Sequence, residues 1–109
     1  RREQLGEAHP DTLASLNNLA SLLKDQGKLA EAETLYREAL AGRREQLGEA
    51  HPCVGDSSYN LAVLLANQRK LAEAKEMFEA AASAFSMAYG DDHEETNGAR
   101  QCAASLAPD

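Results

Sequence analysis

The stretch Arg1-Arg2-Glu3-Gln4-Leu5-Gly6-Glu7-Ala8-His9-Pro10 returns letter for letter at Arg43–Pro52, an offset of 42. Aligning residues 1–42 with 43–84 at that offset gives 23 identities in 42 positions, too many and too well in phase for chance. The later matches include Asn18/Asn60, Leu19/Leu61, Leu22/Leu64 and Leu23/Leu65. The run Lys28-Leu29-Ala30-Glu31-Ala32 also returns as Lys70-Leu71-Ala72-Glu73-Ala74. A weaker third register survives in Gly6/Gly48/Gly90, His9/His51/His93 and Thr12/Thr96. A period of this length marks a repeat array, in which each unit buries its core against its neighbours.

Within each unit the apolar spacing is helical. Leu13, Leu16, Leu19, Ala20, Leu22 and Leu23 recur every three or four residues, which lays a stripe along one helix face. Pro10 and Asp11 suit the first turn of that helix. Gly27 ends it, and a second segment carries Leu29, Ala32, Leu35, Tyr36, Ala39, Leu40 and Leu47 before Gly48. No stretch alternates with period two over a strand's length, so the fold expected is all-α: stacked antiparallel helical hairpins forming an α-α superhelix. Hairpins are expected over 11–47 and 53–89. The end of a preceding helix and a loop would occupy 1–10, and a partial third repeat or capping helix 94–107. Ala20, Ala32 and Ala39, with Ala62, Ala74 and Ala81 one unit on, would let backbones approach closely while Tyr36 and Phe78 fill wider gaps. A bulkier residue at Ala32 would overpack the hairpin.

Composition narrows the function classes. The 109 residues carry 11 Lys+Arg against 18 Asp+Glu, a net charge of -7, which argues against nucleic acid or an anionic membrane as the main partner. Apolar residues make up 43% and aromatics 5%, with no Trp. Leu61–Ala66, the longest apolar run, is far too short for a membrane span. Cys53 and Cys102 form no CxxC motif, and a reducing, cytoplasmic setting is expected. The opening Arg1-Arg2-Glu3-Gln4 reads as a cut inside a longer protein. No nucleotide, hydrolase or zinc-protease motif occurs, so neither enzymatic activity nor a cofactor is expected. His9, His51 and His93 fall one per loop, roughly 10 Å apart across stacked helices. Zinc holds its His ligands at about 2 Å, so capping or loop packing is the expected role. Most carboxylates are expected on solvated faces beside a base, as Glu31 stands near Lys28.

The order Asn-Leu-Ala, Gly-Lys-Leu-Ala-Glu-Ala and Leu-Tyr-Arg-Glu-Ala-Leu resembles a tetratricopeptide repeat. The turn glycine of that family falls on Gly27, its second-helix alanine on Ala32, its aromatic on Tyr36 and its next alanine on Ala39. The second unit supplies Ala74, Phe78 and Ala81, but Arg69 replaces the turn glycine. Leu16 and Ser58 stand where the family often has a large aromatic. The 42-residue period and the Leu-Gly-Glu-Ala-His-Pro loop are similar to the longer repeats of kinesin light chains and nephrocystin-3-like proteins.

That resemblance implies a protein-interaction module whose first helices line a concave, peptide-holding groove. The corresponding flank of the first unit carries Ala14, Asn17, Asn18, Ser21 and Asp25; that of the second carries Asp56, Tyr59, Asn60, Val63 and Asn67. Asn18 and Asn60 recur in phase, and an amide can donate to and accept from a peptide backbone. Hydrogen bonding to a neighbouring hairpin, or simple solvation, is the alternative for the amides, and packing on an adjacent helix is the alternative for Tyr59. Arg43, Glu45 and Leu47 become Phe85, Met87 and Tyr89 one unit on. Either the last helix covers these large groups or they form a self-association patch, a homo-oligomer joined through repeat end faces. The helix that would cover them starts poorly, with Asn97-Gly98 in its first turns.

Overall fold

The computed structural model describes residues 10–106, with side-chain surroundings from residue 13 onward. The expected helix end over 1–5 and the loop up to residue 9 lie outside the described residues. Five helices and no strand occur among the described residues: α1 Pro10–Asp25, α2 Leu29–Leu47, α3 Pro52–Asn67, α4 Leu71–Tyr89 and α5 Glu94–Ser105. Each packs on the next along the chain.

The two hairpin turns have one geometry built from different residues. After α1, Gly27 N–H donates to Lys24 O at 2.9 Å and Lys28 N–H to Leu23 O at 2.9 Å. After α3, Arg69 N–H donates to Ala66 O and Lys70 N–H to Leu65 O, again at 2.9 Å. These paired bonds satisfy the last carbonyls of each helix and require a left-handed residue between them. Gly27 takes φ 83° there, and Arg69 is forced to φ 65°. The arginine therefore keeps the turn at the expense of backbone strain.

The loop histidines start the next helices. His51 Nδ1 accepts from Cys53 N–H at 3.0 Å, with Pro52 opening α3, where its missing N–H costs nothing. His93 Nδ1 accepts from Glu95 N–H at 3.1 Å. This is the capping role expected of these loop histidines. Three further features offset the poor Asn97-Gly98 start of α5. Glu94 and Glu95 meet the positive end of its dipole, Thr96 donates to Gly90 O at 2.9 Å, and Ala99 and Ala103 are buried on α4.

The core runs through the stack. Ala20, Ala32, Tyr36, Leu40, Val54, Leu61, Leu64, Leu65 and Ala74 form its main cluster. Phe78, Ala62 and Ala103 continue it toward α5, with Ala81, Ala82, Phe85 and Ala99 alongside. Phe85 is thus a correction to its candidacy for an exposed self-association patch: α5 covers it, leaving it 2% exposed. Its place is made by Gly55, where a Cβ would stand only 2.7 Å from the ring. Met87 and Tyr89 remain exposed, and Tyr89 stacks on His93 at 4.2 Å.

The two hairpins are tied together by one carboxylate. Glu33 on α2 accepts from Gln68 Nε2 at 2.8 Å and pairs with Lys70 Nζ at 3.0 Å, both from the second turn. Arg37, one helical turn along, holds Glu33 at 2.8 Å and Glu73 of α4 at 3.3 Å. Burial alone would push the Glu33 carboxyl up; the bonds from Gln68, Lys70 and Arg37, with the Arg37 charge, outweigh it and hold the pKa at about 2. Glu31 and Lys28 are both exposed, the solvated setting expected of them, whereas Glu33 is drawn into the ion-pair node.

Candidate functional site

Alternate helices meet through side chains, α1 with α3 by way of Arg43, α3 with α5 and α2 with α4, so α1, α3 and α5 follow one another along the stack. On α3, Asp56, Asn60, Val63 and Asn67 follow at i, i+4, i+7 and i+11, so they share one face. Asp56, Asn60 and Asn67 are exposed and Val63 is half-buried against Phe78 and Ala103. On α1, Asn18, Ser21 and Asp25 are exposed and Asn17 is half-buried.

Two of these residues are engaged within the protein. Asn17, with its amide oxygen turned inward, accepts from Arg43 Nη1 at 2.9 Å. The same Arg43 nitrogen donates to Ser57 Oγ at 3.0 Å and to Cys53 O at 3.4 Å, so one guanidinium of α2 bridges α1 and α3. Tyr59 sits edge-on to Phe78 at 5.3 Å and shares a hydrogen bond of 3.7 Å with Cys102 Sγ on α5. That bond, followed by burial, pushes the Tyr59 phenol up.

Between α3 and α5 lies an open cavity of about 290 Å³. Phe85 and Ala99 form its floor, Tyr59 one wall, and Asp56, Glu94 and Glu95 its rim. Burial first, and the Glu95 charge second, raise the Asp56 carboxyl, while Arg43 pulls it back. The arrangement places carboxylates around aromatic surface, a setting that suits a cationic or amide-bearing side chain. Along this side a cation, Arg43, lies between α1 and α3, and three carboxylates rim the cavity between α3 and α5.

The repeat pattern in the sequence points to Asp56 and Tyr59 but not to Arg43, Glu94, Glu95 or Phe85 as parts of this surface. Arg43 and Phe85 occupy equivalent positions one repeat apart, and that exchange was the available signal: it changes the groove backing from a cation to a ring. Among the described residues, no group of three or more His, Cys, Asp or Glu is placed to hold a metal ion, and no helix is long and apolar enough to cross a membrane.

The profile described as tetratricopeptide repeat matches residues 1–45 and 11–86. No curated protein matches the chain.

Proposed function

Because the chain belongs to the tetratricopeptide repeat family, whose repeats generally mediate protein–protein interaction, we propose that the α1/α3/α5 face binds an extended peptide without cofactor or catalysis. The observation that carries this reading is the cavity between α3 and α5. Its rim of Asp56, Glu94 and Glu95 surrounds Tyr59 and Phe85, and the exposed Asn60 lies one turn of α3 beyond Asp56. Asn60 and, one repeat earlier, Asn18 would hold the peptide backbone, with Ser21, Asp25, Val63 and Asn67 along the same track. The acidic rim selects a Lys or Arg side chain, in keeping with the net charge of -7. Asn17 contributes indirectly, by holding Arg43.

The 42-residue period and the His-Pro loops support grouping the repeats with the longer kind found in kinesin light chains and nephrocystin-3-like proteins. A cytoplasmic setting suits Cys53 and Cys102 as free thiols. A second reading, a self-assembling spacer, has in its favour Leu19 and Leu22, which α1 leaves 46% and 53% exposed.

The test is a fluorescence titration with two panels of extended peptides, matched in length, one Lys/Arg-rich and one Asp/Glu-rich. Saturable binding of the basic panel is expected, abolished by Asn60→Ala and weakened by Asp56→Asn with Glu95→Gln. Saturation by neither panel, or preference for the acidic one, overturns the proposal.

A further inference from the structure

The groove between α2 and α3 is filled by α4, and a second groove of the same kind, between α4 and α5, is open. Its volume is about 540 Å³. Residues 42 apart line the two: Lys75 stands where Glu33 stands, Glu79 where Arg37 stands, and Ala82 and Ala103 where Leu40 and Leu61 stand. Met87 adds apolar surface, being 58% exposed, and Arg100 lines the wall while paired with Asp91 at 2.9 Å.

The filled groove shows what such a surface takes. It holds a helix preceded by a tight turn; the turn brings Lys70 to Glu33 at 3.0 Å, and the first helical turn brings Glu73 to Arg37 at 3.3 Å. In the open groove both host charges are inverted, base where the acid was and acid where the base was. Neither Lys75 nor Glu79 has an ion-pair partner among the described residues. A helix with the charges of α4 would therefore set Lys against Lys75 and Glu against Glu79. The first hairpin of this chain has the same order, Lys28 then Glu31, so a copy of its α2 would be opposed in the same way.

We infer that the α4/α5 groove is a docking surface for an amphipathic helix of inverted charge order. That helix carries an acid in the turn before it, opposite Lys75, and a base in its first turn, opposite Glu79. Its buried face is bulkier than that of α4, because Ala82 and Ala103 leave room that Leu40 and Leu61 fill in the occupied groove. This surface lies apart from the peptide face proposed above, so each stands or falls separately.

Two labelled peptides test it, both copies of residues 66–89: one unaltered, one carrying Lys70→Glu and Glu73→Lys. Anisotropy titration of the full chain at low salt should show the exchanged peptide binding about fivefold or more tightly, the preference fading at about 1 M salt. Chain variant Lys75→Glu/Glu79→Lys, its helicity verified by circular dichroism, should prefer the unaltered peptide. The single variant Glu79→Lys should abolish the preference. Equal affinities, the opposite order or no saturation by either peptide would overturn the inference. So would concentration-dependent dimerisation lost in Lys75→Glu/Glu79→Lys, which would assign the groove to a second copy.

Discussion

Replacing Gly55 with alanine sets two known effects against each other. Alanine is the better helix former by about 1 kcal/mol in a helix interior, and less in the first turn, where Gly55 lies. Propensity alone therefore forecasts a more stable protein. The added Cβ, however, would stand 2.7, 2.9 and 2.9 Å from three ring atoms of Phe85, where carbon pairs prefer about 3.5–4.0 Å. The ring must retreat by roughly 0.8 Å, toward the optimum, and it is 2% exposed and packed on Ala99 and Tyr59. Overpacking of this sort costs about 1–3 kcal/mol, so a net loss of about 1–2 kcal/mol is expected. For a chain of this size that lowers the thermal midpoint by roughly 4–8 °C. Thermal and urea unfolding followed by circular dichroism measure it. Phe85→Leu should make Gly55→Ala cheaper by about 1 kcal/mol, a non-additivity that a contact between the two sites requires. A raised midpoint for Gly55→Ala, or strict additivity in the pair, would refute the reasoning.

Two further outcomes follow from the turns and the ion-pair node. Glu33 is depressed to about 2 in the folded protein, so its stabilisation is present above the unfolded carboxylate range and lost as pH falls from about 5 toward 2. Acid titration of stability should show that limb, worth about 1–3 kcal/mol, and Glu33→Gln should flatten it while lowering stability at pH 7. Arg69→Gly relieves a left-handed residue in a turn that Gly27 already makes without strain. It should stabilise the protein by about 1 kcal/mol, read as a higher urea midpoint with an unchanged slope.

Legibility in the sequence differed between the scaffold and the surface. Periodicity and the exact return of ten residues were enough for helical hairpins, because burying an apolar stripe in a repeat constrains each unit alike. The turn after α3 was readable only in part. Arg69 lacks the freedom of glycine, yet the carbonyls at the end of α3 need the same two hydrogen bonds, and the tertiary fold imposes the left-handed backbone. Phe85 was read with two outcomes open, exposed or covered, since nothing local says that Gly55 has vacated its place.

The chain's letters alone settled the all-helical class and the period, both being matters of spacing between near neighbours, and left the loop histidines between capping and loop packing. Only the packed structure decided which charges meet. Glu33, Gln68, Lys70, Arg37 and Glu73 come from two hairpins and acquire their roles when the hairpins stack. The acidic rim of Asp56, Glu94 and Glu95 likewise exists because α5 lies against α3 and α4. Electrostatics between side chains of different hairpins, 35 or more residues apart, depends on distances that no pattern in one line of letters contains.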